Sequence, residues 1–286
     1  MGNKRSFFRR GLAFALFGVF FVGLMAVGAV WDLDISHAFA NPERGWARVM
    51  EVIAEPPTIL LCSFMCAVIC RRAMNEKKMF LVLLMTIAQN GTVISVVVRT
   101  CTYLGYDYSS VAAVTAVVII SSLMTLLGHI AEKRVSADVV RTMLSCVIAA
   151  LATLILINVF KSLWGRVRYR DMVAIGSFNE FTPWYIINGI TGNKSFPSGH
   201  TANVVLLFYL TYFAKYRKSG YRENRENHEN GVFAVFAVYA AVTLWVLVTM
   251  ISRVAIGAHY LSDVTAGAAI TAAIVYVTGR LRGEFE

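Results

Sequence analysis

The sequence predicts an all-α protein, a polytopic bundle of transmembrane helices, and three observations predict it. Hydrophobic residues make up 57% of the 286 residues and charged residues only 15%. Mean hydropathy is +0.61, well away from the water-soluble average. Apolar runs of membrane-crossing length recur along the whole chain. No polar stretch between them is long enough for a soluble domain, so residues 1–286 read as one integral membrane domain.

Eight runs give about eight spans, at 11–31, 57–70, 79–98, 110–130, 142–160, 197–214, 232–251 and 262–278. The first carries a basic flank of Lys4, Arg5, Arg9 and Arg10 and is longer than the apolar core of a secretory signal. It reads as an uncleaved anchor rather than a leader cut near His37-Ala38-Phe39-Ala40. The start Met1-Gly2-Asn3-Lys4-Arg5-Ser6 fits the short myristoylation pattern, a match that chance explains better when a span follows. Beyond the first run, 32–55 sets Asp32, Asp34, Glu51 and Glu55 among apolar residues, with Trp31 and Trp46. It reads as an interfacial helix or a loop closing over a site. The second run is the shortest. Its Cys62, Cys66 and Cys70 share one helix face and read as small packing residues rather than metal ligands, while Cys101 and Cys146 stand alone. The polar run 215–230 reads as a solvated linker in which His228 takes no part in chemistry.

Charge orients the spans. With the N- and C-termini cytoplasmic, 18 of the 27 Lys and Arg fall on inner segments and 9 on outer ones. Of the outer residues, Lys161, Arg166, Arg168, Arg170, Lys194 and Arg253 lie in or beside three polar clusters. The net charge of +10 therefore reflects topology, and no nucleic-acid partner is expected. The clusters face the non-cytoplasmic side of what reads as a cell inner or plasma membrane.

Those clusters are Lys161-x6-Arg168, Pro197-Ser198-Gly199-His200 and Ser252-Arg253-x5-His259-x3-Asp263. Three cations, Lys161, Arg168 and Arg253, form a clamp for a phosphate dianion. Ser198 and Gly199 open a helix whose free N–H groups and dipole favour an anion. His259 and Asp263, at i and i+4, stack on one helix face, so the carboxylate fixes the imidazole tautomer and stabilises the imidazolium. His200 supplies a proton donor. Taken singly, each cluster also fits an ordinary interfacial salt bridge, helix cap or snorkelling pair. Their conjunction on one predicted face points to phosphoryl chemistry.

In these motifs the sequence resembles the type 2 phosphatidic acid phosphatase superfamily of membrane lipid phosphatases. The second and third motifs match fully; in the first, Tyr169 stands where the family usually has proline after Arg168. The resemblance covers about 79–278 and implies a six-helix phosphatase core within 76–286, with 1–75 as an added N-terminal helical hairpin. It implies that His259 forms a phosphohistidine, that Asp263 orients it, and that His200 protonates the departing oxygen. Lys161, Arg168, Ser198, Gly199 and Arg253 would hold the phosphate oxygens. No metal or other cofactor is expected, since three cations stand in for one. The implied substrate is a phosphomonoester or diphosphate of a membrane lipid, of the undecaprenyl diphosphate, phosphatidate, phosphatidylglycerol phosphate or lipid A 1-phosphate type. Arg166 and Arg170, beyond the motif, tilt the expectation towards a highly charged head. The alternatives are a lipid-phosphate phosphotransferase with a non-water acceptor, a phosphate transporter or receptor, and a vanadate haloperoxidase. An oriented histidine argues against mere binding, and eight spans argue against a soluble peroxidase.

The topology makes a direct prediction. Single cysteines replacing Lys194 and Asn227, in a cysteine-free background, are expected to react with an impermeant reagent from outside and inside respectively. Labelling of position 227 from outside would invert the orientation.

Overall fold

Short polar signals between the apolar runs decide where each helix stops and the next starts. The structure is a computed structural model that describes residues 2–219 and 225–281, with side chains described for 18–214 and 233–281. Met1, where the myristoylation pattern begins, lies outside the described residues, as do 220–224 of the expected linker and the side chains of 215–232. In chain order the helices are α1 (Gly2–Phe39), α2 (Gly45–Ile53), α3 (Pro56–Asn75), α4 (Met79–Leu104) and α5 (Val111–Glu132). There follow α6 (Ala137–Trp164), α7 (Tyr169–Ile175), α8 (Gly199–Val205), α9 (Tyr209–Ser219), α10 (Arg225–Ala255) and α11 (Leu261–Leu281). A 3₁₀ turn, Leu206–Phe208, joins α8 to α9. The described residues contain no strand.

Among the described residues, seven segments are long and apolar enough to cross a membrane: Gly18–Phe39, Gly45–Asn75, Met79–Leu104, Val111–Glu132, Ala137–Ile175, Phe233–Ala255 and Leu261–Leu281. The fold is therefore the all-α polytopic bundle that the composition predicts, and the chain is an integral membrane protein. The expected span 197–214 is not among the seven; it is helical but divided. Its backbone stays right-handed through the turn, with Val205 at φ −63°, ψ −27° and Tyr209 at φ −59°, ψ −24°. Residues 199–219 thus run as one rod of mixed helix type.

Local chemistry sets the ends. The Ser110 and Ser136 hydroxyls accept the Ala113 and Val139 N–H groups at 3.3 Å, capping α5 and α6. Gly165 closes α6 at φ +56°, where a Cβ would fall 2.2 Å from the Gly189 carbonyl oxygen. Only glycine fits that left-handed, crowded turn.

The short second run forms α3, an inner helix against α4, α5 and α6. Cys62, Ser63, Cys66 and Ala67 are buried on it, and a Cβ at Gly128 of α5 would approach Ala67 Cβ to 2.6 Å. Small side chains let helix backbones approach where lipid offers no hydrophobic drive, which is the packing role read for these cysteines. The two spans of the expected N-terminal hairpin have different neighbours: α1 lies on α11, whereas α3 lies among α4, α5 and α6. Helix α2 rests on α10 and α4.

Helix α11 and the start of α8 also approach closely near the polar end. A Cβ at Gly267 would meet the Ser198 carbonyl oxygen at 2.4 Å. Gly267→Ala is expected to cost about 1–3 kcal/mol by overpacking and to lower the unfolding midpoint of the purified protein. Gly91→Ala, with no atom within 4 Å, serves as the control and is neutral or mildly stabilising. A wild-type midpoint for Gly267→Ala would contradict this packing.

Candidate active site

The ends of five helices on one side of the bundle supply the polar groups. Lys161 is in the last turn of α6, Arg168 is the N-cap of α7, and Ser198 is the N-cap of α8. Arg253 ends α10, and Asp263 is in the first turn of α11. They converge on a cavity of about 270 Å³ whose wall includes Lys161, Arg168, Gly199, His200, Arg253 and His259. Lys161 Nζ donates to the Lys194 carbonyl at 2.8 Å. Its Cε lies 3.5 Å from where a Gly199 Cβ would be, which sets the ammonium beside the start of α8. Arg253 is 2% exposed, and its Nη2 donates to Glu51 Oε1 at 2.9 Å. Arg253 Nε and Nη1, Arg168 Nε and His259 Nδ1 are buried without a hydrogen-bond partner among the described residues. Such donors call for an anion, because a buried unpaired donor costs about 1–3 kcal/mol.

Two expected residues stand behind the wall rather than on it. Ser198 is fully buried as the cap of α8, its Oγ accepting from the Thr201 N–H at 3.5 Å and the Thr201 hydroxyl at 3.2 Å. It does not line the cavity. Asp263 is likewise buried, and its geometry differs from the helical stack the spacing suggests. Helix α11 begins at Leu261, so His259 sits in the preceding turn, with its N–H bonded to the Arg253 carbonyl at 3.2 Å. Nδ1 lies 3.6 Å from Asp263 Oδ2, beyond hydrogen-bond length. Oδ2 is already taken by Ser195 Oγ at 2.5 Å and by the Tyr260 N–H at 2.9 Å. Asp263 therefore caps α11 and fixes the turn that carries His259. Burial pushes the His259 imidazole well below its ordinary pKa, against the pull of Asp263, which favours the neutral ring.

Arg166 holds this turn in place. Expected as an extra cation for substrate, it is instead 1% exposed and faces away from the cavity. Its Nη1 donates to Asp263 Oδ1 at 2.7 Å and Ser262 Oγ at 2.9 Å, its Nη2 to Asp32 Oδ2 at 2.9 Å, and its Nε to the Thr182 carbonyl at 2.8 Å. The guanidinium also lies 4.0 Å from the Tyr260 ring centroid. Arg170 and Lys194, by contrast, do line the cavity. Tyr169, the departure from the family motif, occupies the first position of α7, where proline is favoured because no N–H is needed. Its hydroxyl meets His37 Nδ1 of α1 at 3.1 Å and its ring stacks on Phe178.

The sequence did not assign Asp32, Glu51, Glu55, Arg99, Tyr103, Asn203 or Ser195 to the site. Glu51 bridges Arg253 and Arg170, the latter at 3.1 Å, while Glu55 accepts from Arg99 and Asn203 at 2.5 Å each. The available signal was acidic residues in apolar surroundings, which in a membrane protein mark function by default. Within 32–55, Glu51 and Glu55 line the cavity, while Asp32 pairs with Arg166 behind it.

The family model of the PAP2 superfamily matches residues 140–285. The chain belongs to the PAP2 superfamily. Every motif residue lies inside the match, whereas Asp32, Glu51, Glu55, Arg99 and Tyr103 lie outside it, and the match begins later than position 79. Membership, together with helices of membrane length, makes this a membrane protein of a phosphatase-type family. Neither the curated proteins nor the solved structures contained a match.

Arg166→Met would strand Asp32 and Asp263 as unpaired buried carboxylates, a loss of about 3–5 kcal/mol. It is expected to abolish the monodisperse folded protein in size-exclusion chromatography, while Arg166→Lys lowers the unfolding midpoint. A wild-type midpoint for Arg166→Met would contradict this role.

Proposed function

We propose that the protein is a membrane lipid phosphatase that transfers the phosphoryl group of a lipid phosphomonoester or diphosphate to His259 and then to water. The carrying observation is the convergence of unpaired buried donors on Arg253 and Arg168 with Lys161, His200 and His259 around one cavity. Three cations stabilise charge on the non-bridging oxygens in a water-poor site, where electrostatic stabilisation is strongest. His259 attacks phosphorus, and His200 gives a proton to the departing oxygen. Water then attacks the phosphohistidine with His200 as base. The mechanism uses no metal ion.

A cavity of this size suits a headgroup phosphate, not lipid chains. The chains have a route of their own. Helices α4 and α6 both pack on α3, and Arg99 and Tyr103 on one side face Leu154, Ile157 and Asn158 on the other. Leu154 is half-exposed on α6, so the cavity wall passes from charged to apolar side chains there. Arg170 and Lys194 extend the cationic wall and favour a multiply charged head, although Glu51 partly neutralises Arg170. In this reading the site opens on the non-cytoplasmic side and acts on outer-leaflet lipid. Transfer to a non-water acceptor uses the same residues; release of inorganic phosphate in step with dephosphorylated lipid distinguishes hydrolysis from it.

Purified protein offered a panel of lipid mono- and diphosphates is expected to release phosphate. The activity should be insensitive to EDTA and inhibited by vanadate. His259→Ala should reduce it by about 1,000-fold or more while leaving the unfolding midpoint near wild type. Substantial activity in His259→Ala, or loss in EDTA that Mg²⁺ restores, would overturn the assignment.

A further inference from the structure

His200 must carry a proton to serve a poor leaving group, yet its surroundings oppose it. The side chain is 6% exposed, at the second position of α8, and it shares the cavity wall with Arg253 and Lys161. Burial and neighbouring cations both disfavour an imidazolium. The opposing groups come from elements outside the PAP2 match. Nε2 lies 3.1 Å from the Glu51 carbonyl oxygen and 3.6 Å from Glu55 Oε2, and the Tyr103 ring is 5.7 Å away between centroids. Glu55 is 2% exposed and cannot swing away, because Arg99 Nη1 and Asn203 Nδ2 each hold one of its oxygens at 2.5 Å.

We propose that Glu55 is the positioning carboxylate that raises the proton affinity of His200 against its buried, cationic surroundings, and so lets it act as a proton donor for alcohol leaving groups. This rests on the phosphatase reading above. A carbonyl oxygen only accepts, so Nε2 carries hydrogen in both charge states, and Nδ1 is the nitrogen that gains and loses the proton. Glu51 fixes that tautomer through its carbonyl; Glu55 supplies the charge. As the His259–phosphorus bond forms, the phosphorus–oxygen bond breaks and its electron pair stays on the leaving oxygen, which takes the proton from His200 Nδ1. In the second half-reaction water attacks phosphorus, its proton returns to Nδ1, and the phosphorus–nitrogen pair returns to His259. The titratable and charged groups that share the cavity with His200 are Glu51 from α2, Glu55 at the head of α3, Arg99 and Tyr103 from α4, Lys161 from α6, Arg168 and Arg170 at the start of α7, Lys194, Arg253 from α10 and His259.

The test compares leaving groups. A long-chain alkyl phosphate needs a proton donor, whereas a nitrophenyl phosphate releases a stable anion. Glu55→Gln is expected to lower kcat on the alkyl ester by about 100-fold and on the nitrophenyl ester by less than about fivefold. The activity requiring protonated His200 is lost as pH rises, so without Glu55 the alkaline limb for the alkyl ester moves to lower pH. Glu55→Asp, which keeps the charge, shows the same selective loss to a smaller extent and serves if Glu55→Gln fails to fold. Equal loss on both substrates, or no loss on either, overturns the proposal by making Glu55 structural or idle. Wild-type protein inactive on both esters would overturn the phosphatase reading and this proposal with it.

Discussion

The arrangement of the polar end depends on one guanidinium. Arg166 lies between Asp32 of α1 and Asp263 of α11, and all three side chains are almost completely buried. Removing charges from water is costly, and the cost is met only when each donor and acceptor finds a partner. Here the fork engages both carboxylates, the Ser262 hydroxyl and a loop carbonyl, with the Tyr260 ring against one face. The network joins an N-terminal helix, the turn after α6 and the turn before α11. It therefore determines where His259 sits relative to the cations that follow Gly165. Asp263 acts on His259 through this scaffold, since its oxygens are already engaged by Arg166, Ser195 and the Tyr260 N–H.

Much of this was legible in the sequence. Hydropathy located seven of the eight expected spans, and the spacing of Lys161, Arg168, His200, Arg253 and His259 picked out residues of the cavity wall. Spacing could not distinguish side chains on the wall from those behind it. Ser198 reads as a cap or a phosphate donor and Asp263 as stacked on His259; both sit as caps, because a short polar side chain at a helix start satisfies the nearest N–H groups. Arg166 read as one more basic residue of a loop. Its burial follows from two carboxylates, one 134 residues earlier, and only tertiary structure brings these together. The span 197–214 was recognised as apolar, but nothing in its composition signalled the 3₁₀ turn.

The N-terminal elements acquire a function from the same logic. Six cationic side chains line the cavity, and on their own they would repel one another and suppress protonation of either histidine. Glu51 and Glu55 offset part of that charge from opposite sides, one on Arg253 and Arg170, the other on Arg99 and His200. The clamp keeps donors for an anion while burial favours the neutral form of one imidazole and the other has a carboxylate at hand. In the proposed mechanism two chemically identical side chains take opposite roles through their neighbours, the pattern expected of an acid–nucleophile pair.

The central claim is covalent: phosphate passes through His259. Rapid quenching of the purified protein with a ³²P-labelled lipid phosphate, followed by peptide mapping, tests it most directly. The account predicts a label on His259 that survives alkali and is lost in acid, as a phosphorus–nitrogen bond requires. A label on any other residue, or turnover with no labelled protein at any quench time, would contradict it.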